Sequence, residues 1–91
     1  MYQVVYSNKF DKNFKKFDKT TKTIILKWIK KHLVNCENPK SFGKGLIENL
    51  NKYWRYRIGN YRLLVEIDDG KLIIFAIDIE HRSKIYNQYK N

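Results

Sequence analysis

A chain of 91 residues with 43% hydrophobic content has enough apolar material for one modest core and too little length for two, so a single domain over 1–91 is expected. Its net charge of +10, from 19 basic and 9 acidic residues, points toward polyanions such as RNA, DNA or an acidic protein. The lone Cys36 excludes an intramolecular disulfide, no apolar run approaches the roughly 20 residues of a membrane span, and MYQVVYSNKF lacks a signal-peptide pattern; a soluble cytoplasmic protein with no membrane partner is expected.

Tyr2 to Tyr6 reads as a short first strand. Ser7 is placed to cap a helix in which Phe10, Phe14 and Phe17 recur at i, i+4 and i+7. Asp18 caps a second helix, with Ile24, Ile25, Trp28, Ile29 and Leu33 on one face and Lys22, Lys27, Lys30 and Lys31 on the other. The two form a hairpin whose apolar stripes belong to the core. His32 and Cys36 have no partner at metal-ligand spacing, so neither a metal nor a cofactor is expected. Asn38-Pro39 marks the helix exit, and Gly43 and Gly45 punctuate a connecting loop. Their Gly-Lys-Gly lacks the longer GxxxxGK[ST] pattern and reads as a plain turn.

From Tyr53 the pattern becomes that of a strand: Trp54, Tyr56 and Ile58 fall on one face, Arg55 and Arg57 on the other. Gly59-Asn60 has the Gly-first order of a type II′ hairpin turn, which sets Arg57 directly opposite Arg62. Like charges so paired cost about 0.2–1 kcal/mol. The first acid on the same face of the return strand, Glu66, lies roughly 13 Å farther along it. Arg55, Arg57 and Arg62 therefore read as a phosphate-binding cluster, because a guanidinium donates in pairs and keeps its charge. Leu64 on the same face suggests an apolar contact for a partner.

Tyr61 to Ile67 alternates, Asp69-Gly70 supplies a tight turn, and Leu72 to Ile79 is an apolar run expected to lie centrally in the sheet or be covered on both faces. The fold expected is α+β: an antiparallel sheet in order β-α-α-β-β-β, backed by the helix hairpin and followed by a short C-terminal helix. Glu80-His81-Arg82 follows. If the chain turns helical after Ile79, Arg82 and Tyr86 share a face with His81 beside them. Metal-free RNA cleavage needs a base for the 2′-hydroxyl, positive charge for the phosphorane and an acid for the 5′-oxygen. His81 could be that base, since an unperturbed imidazole has a pKa of about 6.5, and Tyr86 would serve if nearby arginines favour its phenolate. Arg55, Arg57, Arg62 and Arg82 remain as the phosphate clamp.

Taken together, the helix hairpin, NPKSFGKGL, YWRYRIGNYRLLVEI, the apolar last strand and HRSKIY resemble the RelE/ParE superfamily of toxins, and its RelE-like mRNA interferase branch in particular. The resemblance covers almost the whole chain. It implies a RelE-like fold and a ribosome-dependent, metal-independent endoribonuclease acting on messenger RNA, with a cognate antitoxin, the ribosome and mRNA as partners. By motif, Arg62 matches a sheet arginine that stabilises the transition state, Tyr86 a C-terminal tyrosine of proton transfer or base stacking, and Arg55 and Arg57 a basic strand. Two positions depart from the best-known member: Tyr53 and Glu80 stand where it has basic residues, and Arg82 of His81-Arg82 would supply the charge lost at Glu80. The other branch of the superfamily, ParE-like inhibitors of DNA gyrase without nuclease activity, shares the scaffold and is the alternative.

Overall fold

A computed structural model describes residues 1–45 and 53–84. In chain order these form β1 (Gln3–Tyr6), α1 (Asn8–Phe14), α2 (Lys19–His32), β2 (Lys44–Gly45), β3 (Tyr53–Ile58), β4 (Tyr61–Asp68) and β5 (Ile73–His81). Both helices start where a short polar side chain accepts an otherwise unpaired backbone N–H. Ser7 Oγ takes that of Phe10 and Asp18 Oδ1 that of Thr21, each at 3.0 Å. α1 stops at Phe14, so Phe17 lies beyond the helix, yet its ring still reaches Tyr61 at 4.9 Å between centroids.

The sheet runs β1-β5-β4-β3-β2. β3, β4 and β5 pair antiparallel as expected, whereas β1 lies parallel to β5, so the sheet is mixed. A parallel neighbour needs a long connection, and here the chain between β1 and β5 runs through both helices and the strands β2 to β4. β5 thereby becomes an interior strand between β1 and β4. It begins one residue later than the apolar run suggests, because Leu72 takes φ +56 within the turn. On the face of β5 away from the helices Phe75 remains 38% exposed.

Alternation along the strands sends Tyr56, Ile58, Leu63, Val65, Ile67, Ile74, Ala76 and Ile79 to one side, where Phe10 of α1 and Ile25, Ile29 and Leu33 of α2 meet them. The stripe on α2 is narrower than its sequence suggests, since Ile24 is 55% exposed. Successive residues on a helix point about 100° apart, so a face centred on Ile25 and Ile29 leaves Ile24 at the rim.

β5 carries a bulge: Ala76 pairs with Val65 and Asp78 with Leu64, leaving Ile77 as the extra residue. The start of α1 clamps it. Ser7 Oγ donates to the Ile77 carbonyl at 2.6 Å, and Asn13 Nδ2 donates to Asp78 Oδ1 at 2.6 Å. Lys9 Nζ lies 3.3 Å from Asp78 Oδ2, and the Ile79 N–H donates to Oδ1 at 2.9 Å, so this fully buried carboxylate is engaged from both elements.

Candidate active site

The β3–β4 hairpin closes as its sequence indicates. Gly59 takes φ +58, Asn60 stays out of the left-handed region, and Arg57 pairs with Arg62. Arg55, Arg57 and Arg62 all lie on the face turned away from the helices, because the residues alternating with them fill the core. With Gly43 and Lys44 they line a cleft of about 450 Å³.

Lys44 is the member of this group that sequence reasoning missed. Gly43-Lys44-Gly45 is no plain turn: Lys44 and Gly45 form β2, paired with Arg55 and Trp54 of β3. Two core-side donors of β3 hold the preceding loop, since Trp54 Nε1 donates to the Phe42 carbonyl at 2.7 Å and the Tyr56 hydroxyl donates to the Pro39 carbonyl. Burial pushes the Tyr56 phenol well above its ordinary range, which keeps it a neutral donor. Gly43, at φ +79, passes so close that a Cβ would stand 2.6 Å from the Tyr56 ring and 2.7 Å from the Arg55 carbonyl oxygen. The available signal was the pair of inward-facing Trp54 and Tyr56, whose polar atoms need acceptors.

Arg62 is buried, at 4% exposure, and its Nη1 donates to the carbonyls of Gly59 and Tyr61, both at 2.9 Å. The guanidinium is thus fixed against the turn. Two expectations about its surroundings need correction. On β5, Glu80 is the register partner of Arg62, so an acid far nearer than Glu66 shares this face; the hairpin sequence alone did not reveal which residue a third strand would set there. Leu64, at 3% exposure, is also not available to a partner.

The expected catalytic residues divide. β5 continues to His81 instead of ending at Ile79, and alternation there turns His81 to the helix side, opposite Tyr61. Its ring meets Tyr61 edge-on at 5.6 Å, with Nδ1 3.1 Å from Ser83 Oγ. The sheet therefore separates His81 from the arginine cleft. Arg82 is exposed at the hairpin end, where its N–H donates to the Asn60 carbonyl at 2.8 Å, and residues 82–84 turn helical. Tyr86 lies outside the described residues. Among the described residues, no three of His, Cys, Asp and Glu gather closely enough to hold a metal ion.

Residues 4–86 match the family model described as the ParE toxin of the type II toxin-antitoxin system parDE. The chain belongs to the RelE/ParE toxin superfamily. Toxin RelE3 of Methanocaldococcus jannaschii is 34% identical over 85 residues, covering 88% of this chain and 94% of that one. The RelBE2 toxin-antitoxin complex of Mycobacterium tuberculosis contains a chain of 25% identity and TM-score 0.78, covering 89% of this chain and 98% of that chain. The isolated E. coli RelE toxin, 17% identical over 97% of this chain and 94% of its own, shares the fold with a TM-score of 0.70. Within the superfamily the chain is RelE-like, and its α+β fold is that of these RelE structures. No helix among the described residues is long and apolar enough to cross a membrane.

Proposed function

We propose that this RelE-like toxin is a ribosome-dependent endoribonuclease that cuts messenger RNA without a metal and so stops translation in the cytoplasm. The observation that carries this reading is the convergence of Lys44, Arg55, Arg57 and Arg62 on one cleft. Four cations there suit the backbone of a single-stranded nucleic acid, and a guanidinium fixed before substrate arrives stabilises a pentavalent phosphorane without reorganising. Arg82, at the same end of the sheet, extends the positive field. Tyr86 keeps the role that the resemblance implies, proton transfer or base stacking. In the proposed chemistry His81 supports the strand end through Tyr61.

A cognate antitoxin is part of the proposal. Toxins similar to this chain were solved in complexes with RelB, in M. tuberculosis RelBE2 and in the archaeal RelE-RelB complex of Pyrococcus horikoshii, and an acidic segment would complement the +10 charge. The second reading, a gyrase inhibitor without nuclease activity, is favoured by one observation: the matching family model is that of ParE. Brief induction followed by mapping of RNA 5′ ends separates the two. Cuts at codon positions within ribosomes are expected, and arrested supercoiling with intact mRNA would replace the first reading by the second. Arg62→Ala and Tyr86→Phe are both expected to abolish growth arrest in protein that still folds.

A further inference from the structure

The bulge in β5 decides which way the end of that strand faces. Side chains alternate along a strand, so one inserted residue reverses every position beyond it. Had the register that sets Val65 opposite Ala76 continued, Arg62 would face Ile79 and Glu80 would point to the helix side. Instead Ile79 is fully buried in the core and Glu80 stands opposite Arg62. The device that holds the bulge, Ser7, Lys9 and Asn13 around Ile77 and buried Asp78, thereby delivers a carboxylate to the arginine face.

Directly opposed residues of antiparallel strands have Cβ atoms about 4.5–5.5 Å apart, which sets Glu80 next to Arg62, beside the residues that line the cleft. Glu80 is half-buried, and no hydrogen bond or ion pair to another described residue occupies it. Among the described residues that line the cleft, Arg55, Arg57 and Arg62 do not deprotonate in proteins, and Lys44 could accept a proton only by giving up the charge that attracts phosphate. His81 is on the opposite side of the sheet.

We propose that Glu80 is the proton acceptor of this cleft and that Asp78 is its positioning residue, acting through the bulge. The proposal rests on the nuclease reading. Glu80 takes the proton of the 2′-hydroxyl, the 2′-oxygen forms a bond to phosphorus, and the P–O5′ bond breaks. The leaving 5′-oxygen keeps that electron pair and takes a proton from water. Products are a 2′,3′-cyclic phosphate and a 5′-hydroxyl, and Glu80 returns its proton to solvent.

Single-turnover cleavage of mRNA on programmed ribosomes, measured across pH for wild type, Glu80→Gln and Asp78→Asn, tests this, with binding of an RNA carrying a 2′-deoxy scissile nucleotide measured alongside. Glu80→Gln is expected to lose about 100-fold or more in rate. It should bind the deoxy probe as tightly or more tightly, having lost a negative charge beside the phosphate, and should lose the rise of rate with pH. Asp78→Asn should be slower but keep that rise, since it retains the Glu80 carboxylate. A Glu80→Gln protein that cleaves within about threefold of wild type overturns the proposal, as does one that has lost its thermal unfolding transition, which would make Glu80 structural. Wild type that leaves ribosomal mRNA intact overturns the nuclease reading itself.

Discussion

Gly43→Ala is a perturbation whose cost can be worked from geometry. An L-residue in the left-handed region loses about 1–2 kcal/mol. The added Cβ would also stand 2.6 Å from the Tyr56 ring, 2.7 Å from the Arg55 carbonyl oxygen and 2.8 Å from Trp54 Nε1, and all three belong to rings or backbone. The loop must move away, and the hydrogen bond from Trp54 to the Phe42 carbonyl, worth about 1 kcal/mol, is lost with it. The expected destabilisation is about 2–3 kcal/mol, a fall in Tm of about 8–24 °C for a domain of this size. Gly59→Ala is the control, because Gly59 also has positive φ but nothing lies within 4 Å of its Cβ position, leaving only the backbone cost of about 1–2 kcal/mol. Urea and thermal unfolding of both variants give the comparison. Equal losses would refute the claim that Gly43 is required by close approach and that this approach is what holds Lys44 in the cleft.

Ser7→Ala removes both a helix cap and the donor to the bulged Ile77 carbonyl, so about 2 kcal/mol is expected by urea unfolding, against about 1 kcal/mol for the cap-only Asp18→Ala. Equal losses would show that the Ser7–Ile77 bond contributes nothing. For Tyr56, burial raises the folded phenol above its ordinary value of 10.0, so the unfolded chain deprotonates first and this contribution to stability, complete below pH 10, falls as pH rises. Tyr56→Phe removes that term, and its stability should decline less steeply above pH 10 than that of wild type, a slope difference of up to about 1.4 kcal/mol per pH unit. Lys44→Ala should weaken RNA binding and reduce the salt dependence of log K by about 0.7, the share of one phosphate contact on a single strand; an unchanged slope would place Lys44 off the strand.

Local signals carried most of the fold. Both caps, both helices and the hairpin register that opposes Arg57 to Arg62 follow from side chains within a few residues of one another. What escaped depends on neighbours distant in sequence. Glu80 faces Arg62 only because β5 borders β4 and bulges at Ile77, and the bulge exists through contacts with α1, about 70 residues earlier in the chain. A strand ending at Ile79 would leave His81 beside the arginines, and two further strand residues suffice to turn it to the other face. Lys44 was hidden for a similar reason, since a two-residue edge strand has no periodicity and is recognised only by the β3 side chains that bind its loop.

The two faces of the sheet divide the energetic work. Apolar side chains on the helix face supply the burial that holds the sheet, which leaves the open face free to carry unfavourable charge. Exposed Arg57 lies there opposite buried Arg62, and the repulsion of about 0.2–1 kcal/mol is small beside the burial on the helix face. Any anionic ligand that fits the cleft relieves this repulsion and stabilises the folded chain by mass action, by about 2.7 kcal/mol at a concentration 100 times its Kd. An RNA backbone and the acidic segment of the proposed antitoxin would thus draw on the same cations. On the proposed function, competition for Lys44, Arg55, Arg57 and Arg62 would suffice for inhibition, with no rearrangement of the sheet required.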